Sequence, residues 1–206
     1  MDRYTEFAAM EAQLLASKHS EITRNFIRSC PDFCRNATMD AVKAADPLWD
    51  EEILEVTQEY IDNVIKGGFQ QYVICGDVGV GKSFLAVATV RAIIDALHKK
   101  GLFVNLPKFF DPALHKEGES IPMHNILNTF ILILDDLIPE GCLELPEWHK
   151  NKIYTIIDFR SSASLPTIVT SNQKLDEFQI LLGDAIYDRL RIAGTAVDIV
   201  GTSRRK

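Results

Sequence analysis

The sequence predicts an α/β fold built on a parallel β-sheet with helices on both faces. Beyond residue 67, short apolar runs typical of buried strands alternate with stretches of helical periodicity, which is the pattern of a parallel sheet. One run, residues 130–135, begins with five consecutive apolar residues, as expected for a strand that is covered on both faces. With 206 residues, 47% of them hydrophobic, the chain is long enough for one large core and a small appendage.

The first part of the chain is predicted to be helical. Between residues 1 and 28, apolar side chains recur at the spacing of one or two amphipathic helices. Residues 29–47 contain two prolines, and we expect a linker there. A helix over residues 49–65 follows, and Gly67 and Gly68 end it. We therefore divide the chain into a helical N-terminal region with a linker, residues 1–45, and a larger domain, residues 46–206.

The larger domain is predicted to alternate strands with helices. Strands are expected at residues 70–75, 101–105, 130–135, 166–171 and 196–200, and helices at residues 84–97, 148–159, 175–182 and 185–191. The polar segment 107–128 is expected to hold two short helices around residues 118–122. Strands joined through helices pair in parallel, so the five predicted strands favour one doubly covered sheet.

Residues 76–83 read Gly-Asp-Val-Gly-Val-Gly-Lys-Ser, the pattern G-x-x-x-x-G-K-S. A strand precedes this octet and a helix follows it, which is the context in which such a loop (Walker A) holds phosphates with backbone N–H groups. The expected nucleotide-binding positions are Gly76, Asp77, Val78, Gly79, Val80, Gly81, Lys82, Ser83 and Phe84. Lys82 is expected to reach the β- and γ-phosphates, and the Ser83 hydroxyl to ligate Mg²⁺. The sequence therefore predicts binding of a nucleoside triphosphate, ATP, with Mg²⁺.

Two acids follow the third predicted strand. Asp135, at the end of an apolar strand beside the phosphate loop, is the expected second ligand of Mg²⁺. Asp136 is the expected catalytic base that orients and deprotonates the attacking water. Glutamate is the more familiar residue in that role, so Glu140 stays open as an alternative base.

Other polar residues near strand and helix ends are candidates for contacts with the phosphates. Asn172, after the fourth strand, is expected to bind the lytic water or the γ-phosphate, or else to cap the next helix. Arg189 supplies a cation that could neutralise the transferring phosphoryl group, and Arg160 is a further candidate. The basic tail, residues 201–206, is either a phosphate contact or a frayed terminus.

Composition excludes several other classes of protein. The net charge of −7 argues against a uniformly basic coat for nucleic acid. Cys30 and Cys34 form a lone C-x-x-x-C without further suitably spaced ligands, which favours core packing over a zinc site. Neither a signal peptide nor a membrane-spanning segment is evident, so we expect a cytoplasmic protein with reduced thiols.

Together these motifs resemble the AAA+ ATPases of the DnaC/DnaI-type replicative helicase loader family, in the clade that includes IstB-like transposition helpers. The resemblance covers about residues 48–206. It rests on the octet, the Asp-Asp pair, the strand that leads to Asn172, the Asp188-Arg189-Leu190 box and the tail positions Gly201, Ser203 and Arg205. It implies a P-loop NTPase of three layers, with strand order 5-1-4-3-2 and no lid domain after the fifth strand.

The resemblance also implies roles and partners. Arg189 is then the arginine finger offered to a neighbouring subunit, and Asn172 is the sensor of the γ-phosphate. The implied partners are a DnaB-type replicative helicase, single-stranded DNA and further copies of the chain in an ATP-dependent ring or spiral. The short N-terminal region points to a phage or mobile element. The candidate DNA contacts, which core packing would explain equally, are Lys99, Lys100, Lys108, Phe109, Phe110 and Lys116.

Three functions therefore remain open at this stage. The first is an ATP-hydrolysing loader that acts on single-stranded DNA. The second is an IstB-like transposition helper on duplex DNA. The third is an ATP-gated adaptor with slow turnover, which the aspartate at position 136 keeps open.

Overall fold

The computed structural model describes residues 3–45, 49–111, 113, 120–138, 141–192, 194–201 and 203. Its helices are α1 (Arg3–Ser29), α2 (Met39–Ala44), α3 (Glu51–Ile65), α4 (Lys82–Leu97), α5 (Leu106–Phe110), α6 (Met123–Asn128), α7 (Glu147–Ser162), α8 (Leu175–Leu182) and α9 (Asp184–Ile192). Its strands are β1 (Gln71–Gly76), β2 (Gly101–Asn105), β3 (Ile131–Asp135), β4 (Thr167–Thr170) and β5 (Gly194–Ile199). A short 3-10 turn covers Asp32–Cys34. Within these residues, no helix is both long enough and apolar enough to cross a bilayer.

The strands of the described chain form one parallel sheet in the order β2-β3-β4-β1-β5. This is the order 5-1-4-3-2 read from the other edge, so the predicted fold and topology are confirmed. Because β1 and β3 are neighbours of β4 on either side, the ends of all three strands meet at one edge of the sheet. The loops that follow β1, β3 and β4 therefore lie side by side.

Each face of the sheet is covered by its own layer of helices. Alternate residues of β1 point to opposite faces: Tyr72 and Ile74 belong to one core, and Val73 and Cys75 to the other. Helices α1 to α4 pack on the first face, and α6 to α9 on the second. The central strands are buried at every position, which confirms that β3 is covered on both sides.

The segment expected to be a linker is instead part of the first core. Residues 29–45 contain the 3-10 turn and helix α2, whose N-cap Thr38 accepts a hydrogen bond from the Ala41 backbone at 3.0 Å. Cys34 and Val42 are fully buried there and pack in the same cluster as α4. Over residues 29–45 the prediction of a linker was wrong because Pro31, Cys30 and Cys34 belong to a packed turn; residues 46–47 lie outside the described part of the chain. Buried apolar side chains hold it to the domain.

The thiols of Cys30 and Cys34 are buried in that core. Cys30 Sγ donates a hydrogen bond to the Phe26 carbonyl at 3.3 Å. Burial raises the pKa of each thiol to about 12, so both stay protonated at neutral pH. The pair therefore acts as small apolar side chains in the packing of α1 against the turn.

Arg160 is a structural residue and not a phosphate contact. Its guanidinium is fully buried between α7, the end of α6 and the start of β4. It donates to Thr167 Oγ1 at 2.9 Å and to five backbone carbonyls, those of Ile126, Leu127, Thr129, Phe130 and Pro166. Burial lowers the pKa of this group to about 9, so it remains charged at neutral pH. The proposal that Arg160 meets a phosphoryl group was wrong, because all its donors are directed into the protein.

Candidate nucleotide-binding site

The glycine loop connects β1 to α4 and has the backbone shape of a phosphate cradle. Gly79 has a φ of 83° and Gly81 a φ of 105°, values that favour glycine. Gly76 lies so close to β5 that a Cβ there would collide with the Ile199 carbonyl oxygen. The loop therefore needs its glycines, and it directs the N-terminus of a sixteen-residue helix toward the cleft in front of it.

Lys82 reaches back over the loop. Its ammonium group donates to the carbonyls of Gly76 at 2.9 Å and Asp77 at 2.7 Å, and to Asn172 Oδ1 at 2.7 Å. Burial lowers the pKa of the ammonium, and the nearby carboxylates of Asp136 and Asp135 oppose that shift. The sequence placed Lys82 and Asn172 in one site from motifs ninety residues apart, and the two side chains are in contact.

Ser83 and Asp135 form a pair of oxygen donors at the first turn of α4. Ser83 Oγ donates to Asp135 Oδ1 at 2.6 Å, and Thr170 Oγ1 donates to the same oxygen at 2.8 Å. A hydroxyl and a carboxylate beside a phosphate cradle are the donor set that Mg²⁺ takes in nucleotide sites. The two predicted ligands therefore fit the ion. Burial, and then the neighbouring charge of Asp136, raise the pKa of Asp135.

Asp136 follows the strand in an unusual backbone conformation. Its φ is 55°, a left-handed value that its backbone N–H stabilises by donating to Thr170 Oγ1 at 3.0 Å. Its carboxylate points toward β2, where Asn105 Nδ2 donates to Asp136 Oδ2 at 3.4 Å. The side chain of the predicted base thus lies in the cleft beside Ser83 and Asp135, the two predicted magnesium ligands. Glu140, the alternative base, lies outside the described residues.

Asn105 is a site residue that sequence reasoning missed. It ends β2 directly opposite Asp135 in the strand register. Its amide Nδ2 donates to Asp135 Oδ2 at 3.3 Å as well as to Asp136, and its Oδ1 accepts the Lys108 backbone N–H and so caps α5. A polar residue at a strand end beside the acidic strand was the available signal. The predicted strand order placed β2 beside β3, but no motif marked Asn105 as a residue of the site.

The cleft in front of the loop has a volume of about 810 Å³, and the N-terminal region together with Trp49 forms an apolar wall of it. That wall consists of Pro31, Phe33, Ala41, Ala45 and Trp49, which sequence reasoning also missed. The other lining residues are Gly79, Gly81, Lys82, Ser83, Phe84, Asn105, Asp135, Asp136 and Asn172. The first group is apolar and partly aromatic, and the second is rich in charge and hydrogen-bonding groups. This combination suits a ligand with a flat base and a charged tail.

The remaining loop positions divide between cleft and core. Phe84 lines the cleft and also packs against the first core, whereas Val80 is fully buried beneath the loop. Asp77 is exposed and contributes its backbone carbonyl to Lys82, and Val78 is half-buried. These residues therefore shape the loop mainly through their backbone.

Arg189 lies away from this cleft. Its guanidinium donates from Nε to Asp158 Oδ1 at 2.8 Å, bonds to the Ala185 carbonyl at 2.9 Å and covers the ring of Tyr154. It is not among the residues that line the cleft. Of the basic tail, Ser203 lies against Gly79 of the loop, and residues 204–206 are outside the described part of the chain.

The fold and the site define the class of protein. A parallel sheet of order 5-1-4-3-2, a glycine loop before a helix, a buried acid on a neighbouring strand and a polar residue after the next one are the features of a P-loop protein of the AAA+ type. The sequence profile of the IstB-like ATP binding protein family matches residues 58–206. The chain belongs to this family.

Individual relatives agree with that assignment. The chain is similar to the replicative helicase loader DnaC of Escherichia coli K12, with 24% identity over 148 residues. That alignment covers 69% of this chain and 58% of the relative, so the chain spans less than two thirds of the length of the curated relatives it matches. The predicted resemblance to DnaC-type proteins is confirmed at this level.

Solved structures show the same fold. A crystal structure of the DnaC helicase loader matches with a TM-score of 0.66 and 25% identity, over 82% of this chain and 99% of that chain. A crystal structure of DnaI matches with a TM-score of 0.67 and 22% identity, over 85% of this chain and 94% of that one. Both matches extend beyond the part of the chain that the family profile covers.

Proposed function

We propose that this protein is an ATP-hydrolysing loader that assembles with copies of itself and helps to place a replicative helicase on single-stranded DNA. The observation that carries the proposal is the convergence of Lys82, Asp135 and Asn172 on one cleft while Arg189 lies outside it. A site that holds every phosphate-facing group except the arginine is expected of an ATPase that borrows this residue from a neighbour.

Within one chain, the residues divide the work of hydrolysis. Lys82 donates hydrogen bonds to the phosphates, with its ammonium already held over the loop by two carbonyls. Ser83 and Asp135 hold Mg²⁺, which when bound neutralises charge on the phosphate oxygens. Asp136 accepts the proton of the attacking water, and Asn105 fixes the direction of its carboxylate. Asn172 bonds to the γ-phosphate from the tip of β4.

The proposed role of Arg189 is to complete the site of the adjacent subunit. Its guanidinium is restrained by Asp158, by a carbonyl one helical turn earlier and by the ring of Tyr154. The guanidinium is thereby oriented, and it would exchange part of these bonds for a phosphoryl group of the neighbour. Such a contribution is worth about 10³–10⁵ in rate. Asp158 is then a positioning residue for the arginine.

Mixing two inactive variants tests this arrangement. A Lys82→Ala chain keeps Arg189, and an Arg189→Ala chain keeps its phosphate site. Their mixture should therefore hydrolyse ATP faster than the sum of the rates of the separate variants. Steady-state phosphate release over a range of mixing ratios is the measurement. Arg191→Ala is the matched control: Arg191 is exposed on the same helix, over Tyr187. Mixtures that never exceed the sum would contradict supply in trans.

The proposed helicase contact is the exposed face of α1. Met10, Leu14 and Leu15 are more than half exposed there, although a buried position would suit each of them. The name of the curated relatives, replicative helicase loader, supports this choice of partner. Capture of a replicative helicase by the full chain, and its loss when residues 1–18 are removed, is the expected result. Capture that is equally strong without them would exclude α1 as the contact.

One observation favours the alternative hypothesis, an ATP-gated adaptor with slow turnover. Asp136 is one methylene shorter than the more familiar glutamate, and its left-handed backbone and bond to Asn105 restrict its reach. Nanomolar ATP binding with turnover no faster than background would favour an adaptor over a loader. The transposition-helper reading is supported by the family match alone. Tighter binding to duplex than to single-stranded DNA at equal salt would favour it.

A further inference from the structure

A cluster of four polar side chains joins helix α1 to the end of α4. His19 and Thr23 lie one turn apart on α1, and Asp95 and His98 lie at the end of α4. The rings of the two histidines meet edge to face, with their centres 4.2 Å apart. None of the four residues lines the nucleotide cleft. This group, here called the histidine cluster, is therefore separate from the site described above.

The two rings present the same kind of nitrogen to each other. Nδ1 of His98 contacts Nδ1 of His19. The other nitrogen of His19, Nε2, lies 3.4 Å from Asp95 Oδ1. A neutral imidazole carries one N–H and one lone pair, and the hydrogen bond that one nitrogen makes decides where the proton sits. With Nε2–H directed at Asp95, the lone pair of His19 Nδ1 points at His98.

Asp95 is itself held in place. Thr23 Oγ1 donates a hydrogen bond to Asp95 Oδ1 at 3.3 Å, and this is the same oxygen that faces His19. A carboxylate that accepts the outer N–H of an imidazole is the usual support of a metal-binding histidine, because it fixes the tautomer and makes the other nitrogen more basic. Asp95 and Thr23 give His19 this support.

His98 ends α4 in a backbone conformation that is costly for a residue with a side chain. Its φ is 54°, a left-handed value, and its backbone N–H donates to the Ile94 carbonyl at 2.8 Å. Glycine is the residue that commonly ends a helix in this conformation. A histidine stands here instead, and its ring lies against α1. The imidazole is thus held at this point in spite of the cost to the backbone.

We propose that the histidine cluster binds a divalent transition-metal ion, of which Zn²⁺ is the example, through Nδ1 of His19 and Nδ1 of His98. Imidazole nitrogen is a favoured ligand of Zn²⁺, Cu²⁺ and Ni²⁺. His98 is exposed and His19 is half-buried, so an ion can enter from solvent and the rings can part to admit it. Among the described residues, no group of three or more metal-binding side chains could hold an ion. The proposed site therefore has two protein ligands, and water completes the coordination.

A shared proton is the competing explanation of the same contact. One N–H between the two Nδ1 atoms would satisfy both rings without an ion. Lys99 and Lys100 follow His98 and are exposed, and their charge weakens the binding of any cation. The carboxylate of Asp95 opposes that effect. A bound ion would join α1 to α4 directly after the exposed residues 10–18, whereas a shared proton would leave the protein indifferent to metal.

Calorimetric titration of the untagged full chain with Zn²⁺ is the first test. Excess Mg²⁺ is present, because it competes for the oxygen ligands Ser83 and Asp135 but poorly for imidazole. One Zn²⁺ should bind per chain, and His19→Ala should weaken its affinity about 10-fold or more. Asp95→Asn, which removes only the support of His19, should weaken it about 10-fold. Unchanged affinity in His19→Ala would overturn the proposal.

Two variants control for other ligands of Zn²⁺. His124 is exposed on α6, and Cys142 is a free thiol that is only partly buried. His124→Ala and Cys142→Ser should both bind Zn²⁺ as the unchanged chain does. A loss in either variant equal to that of His19→Ala would overturn the proposal, because the ion would then be held elsewhere.

Thermal unfolding gives a second readout that does not depend on activity. Zn²⁺ should raise the Tm of the unchanged chain as its concentration rises, since an ion bound by the folded state stabilises that state. His98→Gly suits the left-handed end of α4, so it should fold without metal and show no rise in Tm with Zn²⁺. A Tm of the unchanged chain that does not respond to Zn²⁺ would favour the shared proton and overturn the proposal.

NMR of the histidine rings identifies the bound atoms. Long-range ¹H–¹⁵N spectra distinguish Nδ1 from Nε2, and Zn²⁺ should shift Nδ1 of His19 and of His98. Binding through Nε2 of either ring would contradict the proposed geometry. The site goes beyond the proposed function, and the two can fail separately, because ATP titration and the mixing of Lys82→Ala with Arg189→Ala report on the nucleotide cleft alone.

Discussion

Asp135 occupies a position that its own charge disfavours. The carboxylate is buried and lies beside Asp136, and both effects raise its pKa. Three donors, from Ser83, Thr170 and Asn105, offset part of this cost. A neutral side chain at this position would make the folded protein more stable than the charged carboxylate does. Such a loss of stability is common at functional sites.

Replacement of Asp135 by Asn should therefore separate stability from activity. A raised folded-state pKa means that the folded protein binds this proton more tightly than the unfolded chain does. The carboxylate thus lowers stability above that pKa, and the penalty disappears as the pH falls through it. At neutral pH, thermal unfolding of Asp135→Asn should give a Tm equal to or above that of the unchanged protein. Loss of a metal ligand should lower kcat for ATP about 100-fold or more.

The pH dependence provides the control for that prediction. The difference in Tm between the two proteins should shrink as the pH is lowered through the raised pKa of Asp135, which lies above the ordinary value of 3.8. Asp176→Asn, at an exposed position, should show no such trend. A Tm below that of the unchanged protein at neutral pH would mean that the hydrogen bonds to Asp135 outweigh its burial.

The buried guanidinium of Arg160 connects several segments of the chain through hydrogen bonds. Its guanidinium ties together the end of α6, the residues just before β3 and the entry to β4 by donating to their backbone carbonyl groups. No carboxylate contacts it among the described residues, so backbone carbonyl dipoles and the Thr167 hydroxyl offset much of the cost of burying the charge.

Arg160→Met should therefore destabilise the protein strongly. Several buried carbonyls would lose their donors at once, at about 1–3 kcal/mol for each that stays unpaired, so we expect a loss of about 3 kcal/mol or more. The free energy of unfolding in urea is the measurement. Arg160→Lys keeps the charge but fewer donors and should fall between. Arg24→Met, at an exposed site, should change stability by less than about 0.5 kcal/mol. A loss for Arg160→Met no larger than this would refute the structural role.

At the scale of residues, the sequence predicted the site residues that belong to a local motif. It did not predict the site residues whose position depends on how distant segments pack together. Lys82, Ser83 and Asp135 follow from a loop motif and a strand end, and they lie together. Asn105 and Phe33 carry no motif, and their place in the site depends on which strand lies beside β3 and on how the N-terminal turn packs. Arg160 was misjudged because a one-dimensional pattern does not report whether a side chain points inward.

The elements themselves were largely predictable, since hydrophobic periodicity determines both their type and their approximate bounds. The strand at residues 101–105 and the helix at residues 175–182 have the predicted bounds. Helix α4 begins two residues before the predicted start because the Lys and Ser of the loop already belong to its first turn. The N-terminal region was the exception, since proline and cysteine in a short stretch are as common in packed turns as in linkers.

Truncation of the N-terminal region tests this packing. Residues 10–18 are exposed, so removal of residues 1–18 should leave ATP affinity and thermal stability nearly unchanged. Removal of residues 1–45 should lower both, because it takes away Phe26 and Cys34 from the core and Phe33 from the wall of the nucleotide cleft. Calorimetric ATP titration and thermal unfolding are the measurements. Equal ATP affinity in the two truncated chains would contradict a role for this wall.

At the scale of the whole molecule, the order of the strands determines where function lies. The loops after β1, β3 and β4 and the end of β2 gather at one edge of the sheet, where they form the nucleotide cleft. Arg189 lies elsewhere on the surface. The chain therefore presents a nucleotide cleft and, separately, an arginine, which is the arrangement that the proposed completion of the cleft by a second copy would need.

The division of the chain at residue 45, into an N-terminal region and a larger domain, stays a prediction. The contacts of α2 and the 3-10 turn with α4 attach residues 29–45 to the larger domain. We propose that the boundary of the partner-binding segment lies within α1, between the exposed residues 10–18 and the part that begins to pack at Ile22 and Phe26.

The two tryptophans of the chain stand in different clefts: Trp49 lines the nucleotide cleft, and Trp148 lines a second cleft between α5 and the start of α7. Trp49 is almost fully buried and Trp148 is half exposed, so the first should emit at shorter wavelength than the second. The intrinsic fluorescence of an unlabelled sample thus contains one signal from each cleft. A spectroscopist could follow events at the two clefts, and their order, in a single stopped-flow experiment.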